Sequence, residues 1–174
     1  MMRGFTLQES LVSLLIGGTL ITGGSSFWST LQESVKTTAA NELVGHLNLA
    51  RSEAVKRHTR VSMCPSKDQI TCVATGGGFT SWQHGWLLYT DDNHNGKPEP
   101  QEILRVQQAQ TGGLVIRTSA ARQQVSYQPT GLAGGSTITF ALCDSRGTKS
   151  ARYVVISNTG RARVARTSDS NVKC

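Results

Sequence analysis

Two guanidiniums one residue apart, Arg161 and Arg163, follow Gly160 near the end of the chain, with Arg166 and Lys173 beyond them. In an extended segment, residues two apart project to one side, so this pair presents two planar forks of N–H donors to a single surface. Such forks match phosphate oxygens bidentately. Arg146, Lys149 and Arg152, around the preceding turn, widen the basic stretch. The chemistry on offer is polyanion binding, and the plain alternative is a solvated basic tail.

Charge is distributed to suit the first reading. The formal net charge is +7, yet residues 1–104 hold 8 Lys/Arg against 9 Asp/Glu, whereas residues 105–174 hold 10 against 2. Neutralised phosphates release condensed counterions, so a surface of this kind binds with steep salt dependence. No recognition-helix, zinc-finger or homeodomain pattern accompanies it, and no aromatic ladder is spaced for stacking bases. A nucleic-acid contact here is therefore expected to be to phosphate and indifferent to sequence.

A second constellation fits a calcium-loop template: Asp91, Asn93, Asn95 and Gly96 at alternating positions, then Glu102. Its flanks, Trp86–Tyr89 and Ile103–Val106, read as strands rather than helices, and Pro98 and Pro100 constrain its second half. The spacing predicts a turn-rich hairpin loop, with calcium as the alternative. Gly76-Gly77-Gly78 lacks the Lys and Ser/Thr of a phosphate-binding loop and reads as a flexible loop. Trp82 and Trp86 suit core packing better than base stacking. His46, His58, His84 and His94 form no metal-ligand spacing, and no nucleophile–base pair is visible, so neither an enzyme nor a cofactor is expected.

The elements that must position these residues begin with an apolar run. Phe5–Gly24 holds a single charge, Glu9, behind the short basic leader 1–4, and is long enough to span a bilayer as a helix. A secretory signal would be similar in length, with small residues at Gly23–Ser26, but a carboxylate inside the run costs about 2.5–3.5 kcal/mol on insertion and calls for a partner. Cleavage after Gly4 would supply one, the new α-amine of Phe5 on a neighbouring subunit. The glycine pairs Gly17-Gly18 and Gly23-Gly24 lead us to expect local melting, since each glycine weakens a helix by ~1 kcal/mol.

Beyond Gly24, Leu31, Val35, Ala39, Leu43, Leu47, Ala50 and Ala54 recur at three and four residues, while Gln32, Lys36, Asn41, Arg51 and Lys56 fall elsewhere. This predicts an amphipathic helix to about Arg57. Short β-rich runs follow at Val61–Met63, Trp86–Tyr89, Ile103–Val106, Leu114–Arg117, Val125–Tyr127, Thr137–Leu142 and Tyr153–Ile156. The expected fold is α+β, a long N-terminal helix packed on antiparallel strands. Four cysteines favour disulfides. Three pairings are open; proximity favours Cys64–Cys72 and Cys143–Cys174, and free thiols are the alternative.

Gly4 followed by Phe-Thr-Leu-Gln-Glu-Ser resembles the prepilin peptidase site of type IV pilins and type II secretion pseudopilins. ARSEAVKR at 50–57, MCPSKDQITC at 63–72, GWLLYTDDNHNG at 85–96 and SNTGRAR at 157–163 extend the resemblance to the FimT/GspH family of minor pilins and pseudopilins. It implies a pilin fold with a leader at 1–4, a membrane-embedded and later filament-core half-helix at 5–28, and a head at 29–174. It also implies cleavage and methylation at Gly4 and Phe5, assembly through Glu9, and residence in the inner membrane before assembly into a cell-surface pilus with other pilins. A GRxR tail similar to that of FimT-type pilins implies binding of double-stranded DNA through Arg161 and Arg163 for uptake in natural transformation. The alternative is a structural pseudopilin of a type II secretion system that does not bind DNA.

Overall fold

The computed structural model describes residues 6–73, 78–134, 137–166, 172 and 174, with the side chains of 16–28 outside that description. The leader, the Gly4–Phe5 junction, Gly76, Gly77 and Lys173 lie outside the described residues. The chain divides into two compact units, Met1–Ser34 and Val35–Cys174. Among the described residues, no helix is long and apolar enough to cross a membrane.

Helix α1 spans Leu7–Arg57. It starts at a capping box. The Glu9 carboxylate accepts the Thr6 N–H at 3.1 Å and the Thr6 hydroxyl at 3.2 Å, and the hydroxyl oxygen accepts the Glu9 N–H at 3.4 Å. It stops at His58, whose φ of 55° is left-handed, after Lys56 and Arg57 have placed positive charge at the carbonyl end. The helix runs unbroken through both glycine pairs, which corrects the expectation of melting. Once nucleated, each added residue gains a hydrogen bond, and two glycine pairs inside a 51-residue helix do not reverse that gain.

Among the described residues nine strands follow: β1 (Val61–Pro65), β2 (Phe79–Ser81), β3 (Trp86–Thr90), β4 (Ile103–Gln107), β5 (Val115–Ser119), β6 (Val125–Tyr127), β7 (Ile138–Cys143), β8 (Arg152–Ile156) and β9 (Ala162–Ala165). All pair antiparallel, in two sheets of order β4-β3-β1-β6 and β2-β5-β7-β8-β9. Ala39, Ala40, Leu43, Leu47, Ala50 and Ala54 of α1 share one buried cluster with Met63, Trp86 and Leu88 of the first sheet and Ile116, Phe140 and Val154 of the second. The alanines let the sheets approach the helix closely; each large apolar side chain buried contributes about 1.5–3 kcal/mol. Strands β1 and β3 are buried along their whole length, because Cys64, Leu87 and Tyr89 form a further cluster on their outer face, packed by Cys72. Disulfides join Cys64 to Cys72 and Cys143 to Cys174.

Trp82 and Trp86 are both core residues. The Trp82 indole meets Phe140 edge-to-face at 4.9 Å and donates to Thr118 Oγ1 at 3.0 Å; the Trp86 indole donates to His46 Nδ1 at 3.0 Å. Burial pushes the His46 imidazole below its usual range, against the pull of Glu42 and with the help of Arg105. The neutral ring is the form that can accept the indole N–H.

Lys36, which periodicity left on the solvent side, is fully buried. Its ammonium lies 3.0 Å from Asp144 Oδ2 and donates to the Ser150 carbonyl. Asp144 also receives Arg146 at 2.6 Å and the Ser150 hydroxyl at 2.7 Å. Burial alone would raise the Asp144 carboxyl, but the bonds from Arg146, Ser150 and Lys36 prevail and hold it well below the usual carboxylate range.

The β8–β9 connection depends on Gly160. Its N–H closes a turn onto the Ser157 carbonyl at 2.8 Å, and the Ser157 N–H reaches the Arg161 carbonyl at 3.1 Å. Gly160 has φ 79°, and a Cβ there would sit 2.3 Å from the Gly131 carbonyl oxygen and 3.1 Å from the Tyr127 ring. A turn closed by a left-handed residue is a standard three-residue hairpin, but here the neighbouring loop also occupies the side-chain position.

Two stability measurements check these features. Gly160→Ala should cost at least about 2 kcal/mol, left-handed strain plus backbone displacement, whereas Gly113→Ala, at φ 70° in open space, should cost about 1 kcal/mol. Asp144→Asn, which removes the counter-charge of the buried Lys36 ammonium, should cost about 3–5 kcal/mol near neutral pH. Because the folded carboxyl is depressed, its contribution is complete above the unfolded value of roughly 4 and is lost as pH falls further. The difference in melting temperature between parent and Asn variant should therefore shrink on acidification below about pH 4.

Candidate nucleic-acid interface

The basic tail is a strand. β9 lies at the edge of the five-stranded sheet, with Ala162 opposite Ile156, Arg163 opposite Val155 and Val164 opposite Val154. Ile156 and Val154 belong to the main core and Ala162 packs on it, so Ala162 faces inward, while Val164 further along the edge stays 41% exposed. By alternation, Arg163 projects from the other face, and Arg161 lies at the exit of the Gly160 turn, one residue before β9 begins. Both are exposed, and among the described residues neither guanidinium has an ion-pair partner.

The strand is tied at both ends. The Gly160 turn holds its start, where burial beneath the same turn pushes the Tyr127 phenol up to about 12. At the far side, the Cys143–Cys174 disulfide returns the chain to β7, and Val172 and Cys174 pack on Ala141, Ala151 and Tyr153. Val155 and Ala165 join that cluster, which is the face that bears Arg163. The backbone that carries these arginines is thus already ordered by the fold, and two cations at an open sheet edge also discourage edge-to-edge pairing.

The remaining basic residues divide. Arg166 is exposed just past β9, and the β8–β9 register carried one residue further sets it opposite Arg152, which is half-buried. Lys149 is exposed in the 3-10 turn Thr148–Ser150. Arg146 is committed to Asp144 through both Nε at 2.9 Å and an Nη at 2.6 Å. It is therefore held by a carboxylate and not displayed as an open fork, a partnership that residue type alone did not reveal.

Elsewhere, Asp91, Asn93, Asn95 and Glu102 all lie in the loop between β3 and β4, with Asp91 fully buried. Glu9 sits exposed in the first turn of α1, engaged with Thr6. The Thr6-x-x-Glu9 capping signature stands in the sequence and was overlooked in favour of the charge at position 9.

The profile of the family described as type II transport protein GspH matches residues 39–160, more than half of the chain. The matched segment stops at Gly160, immediately before Arg161 and Arg163. No curated protein matches the sequence at a significant level. Among solved structures, two crystal forms of the type IV minor pilin FimU of Pseudomonas aeruginosa superpose with TM-scores of 0.56 and 0.57, at 24% identity. They cover 74% of this chain and 91% and 87% of those chains. The likeness establishes the type IV pilin fold, a long helix with antiparallel sheets, and the profile match establishes that the chain belongs to the GspH family.

Proposed function

We propose that the chain is a minor pilin of a type IV pilus that binds extracellular double-stranded DNA through Arg161 and Arg163 for uptake in natural transformation. Residues 5–28 anchor it in the inner membrane, prepilin peptidase cleaves between Gly4 and Phe5, and Phe5 is methylated. The subunit then joins other pilins at the cell surface. Membership of the GspH family and the FimU-like fold support the filament role. The observation that carries the DNA reading is the exposed pair of arginines, Arg161 at the exit of the Gly160 turn and Arg163 on edge strand β9, without ion-pair partners among the described residues. Lys149, Arg152 and Arg166 supply flanking positive charge. The role is binding and assembly rather than catalysis.

A second reading is favoured by the family's description as a type II transport protein and by a profile match that ends at Gly160. In it, the chain is a structural pseudopilin that contacts protein alone. Duplex DNA titrated into the full-length chain in detergent micelles, over a series of salt concentrations, separates the two. DNA binding predicts a steep fall in affinity with salt, and Arg161→Gln with Arg163→Gln should flatten that slope by about 2 and weaken binding at low salt regardless of sequence. Unchanged affinity and slope in the double variant would remove the site, and no binding by the parent at low salt would favour the pseudopilin.

A further inference from the structure

The hairpin loop between β3 and β4 holds two carboxylates withdrawn from water. Asp91 is fully buried and Glu102 is 6% exposed. Buried charge is tolerated when it is paired, hydrogen-bonded or bound to a metal. Asp91 is provided for: the Gly96 N–H donates to Oδ1 at 3.0 Å and Arg60 approaches Oδ2 at 3.4 Å. Glu102 is not. Its Oε1 accepts the Asp92 N–H at a long 3.3 Å, which turns the carboxyl back into the loop, and its Oε2 is buried with no hydrogen-bond partner. Among the described residues, the cation within ion-pair distance of this pair is Arg60, itself 41% exposed.

The spacing of the loop supplies a means of neutralising that charge. Counting from Asp91, side-chain oxygens fall at positions one, three and five, Gly96 at six with φ 70°, the Lys97 carbonyl at seven, Glu99 at nine and Glu102 at twelve. A calcium loop draws its ligands from the same positions. Glu99 Oε1 accepts from Asn93 Nδ2 at 2.8 Å and Asn95 Nδ2 at 3.1 Å, while Asn93 Oδ1 accepts the Asn95 N–H at 3.0 Å and Asn95 Oδ1 the Lys97 N–H at 2.7 Å, which leaves each amide oxygen a second lone pair. The strands that argued against calcium in the sequence have the opposite effect in the fold. The Thr90 N–H donates to the Glu102 carbonyl at 2.9 Å, so the β3–β4 ladder brings the first and twelfth positions of the loop together without any flanking helix.

We propose that residues 91–102 form a calcium site, with the side chains of Asp91, Asn93, Asn95 and Glu102 and the carbonyl of Lys97 as its ligands. Calcium accepts six to eight oxygens in flexible geometry, whereas magnesium demands a near-ideal octahedron that this set of ligands does not offer. The Tyr89 hydroxyl donates to the Gly96 carbonyl at 3.0 Å, which places an aromatic antenna at the loop for terbium luminescence.

The test uses the full-length chain in detergent, first stripped with chelator. Calcium should raise the melting temperature by roughly 5–10 °C at about a hundred times its Kd, magnesium should not, and calcium should displace sensitised terbium emission. Glu102→Gln, which keeps the shape and removes the charge, should weaken calcium binding at least tenfold. Asn95→Asp, which adds a charge at position five, should tighten it. Equal stability of the parent in calcium and in chelator, an equal shift with magnesium, or parental calcium affinity in Glu102→Gln would overturn the site.

Discussion

The stripe of small and aliphatic residues on α1, from Ala39 to Ala54, serves two sheets at once. A wider stripe of large side chains would hold those sheets apart; the alanines at 39, 40, 50 and 54 let strands from both come close while Leu43 and Leu47 fill the space between them. Every strand direction downstream follows from that shared contact. Strands β1 and β3 lie against the helix on one side and against the Cys64–Cys72 segment on the other, while β7 and β8 present Phe140, Val154 and Ile156 to the same core. The buried Lys36–Asp144 pair fixes the helix against the start of the 3-10 turn.

The edge strand inherits its geometry from this core. Ala162 packs on the apolar interior while Val164 stays 41% exposed, and Arg161 and Arg163 both stand in solvent. Gly160 is the conformational condition for that arrangement, because a side chain there would meet the Gly131 carbonyl. The GRxR sequence thus divides into a residue that shapes the turn and two that face solvent. The division also explains how a strand of weak β-propensity forms at all: β9 pairs along its length with β8 and is held in place by the hairpin and the C-terminal disulfide.

Much of this was legible in the residues. Periodicity located the helix end at Arg57, apolar runs located seven of the strands, and proximity along the chain pointed to both disulfides. What escaped detection depended on tertiary contacts. Strands β2 and β9 are short and lack the β-branched density that marks a strand, so sheet pairing alone defines them. Lys36 looked like a solvent residue because nothing local announces a carboxylate 108 positions away, at Asp144. The same holds at the candidate site, where Arg161 and Arg163 could be read from spacing but the engagement of Arg146 with Asp144 could not. In the loop at 91–102, flanking strands suggested a plain hairpin, and only burial revealed the uncompensated Glu102 carboxylate.

At the other end of the chain, Glu9 closes a capping box with Thr6 while remaining exposed. The cap needs only the Thr6 N–H and hydroxyl, so it survives removal of a leader up to Gly4 and leaves the carboxylate able to meet a neighbouring α-amine. The proposed filament role calls for a new terminus at Phe5, which makes the mature N-terminus the most direct measurement: mass spectrometry of the chain isolated from its own cells. A protein beginning at Phe5 with one added methyl group is the expected result, and an intact Met1 or a terminus near Ser25 would contradict a role in a pilus.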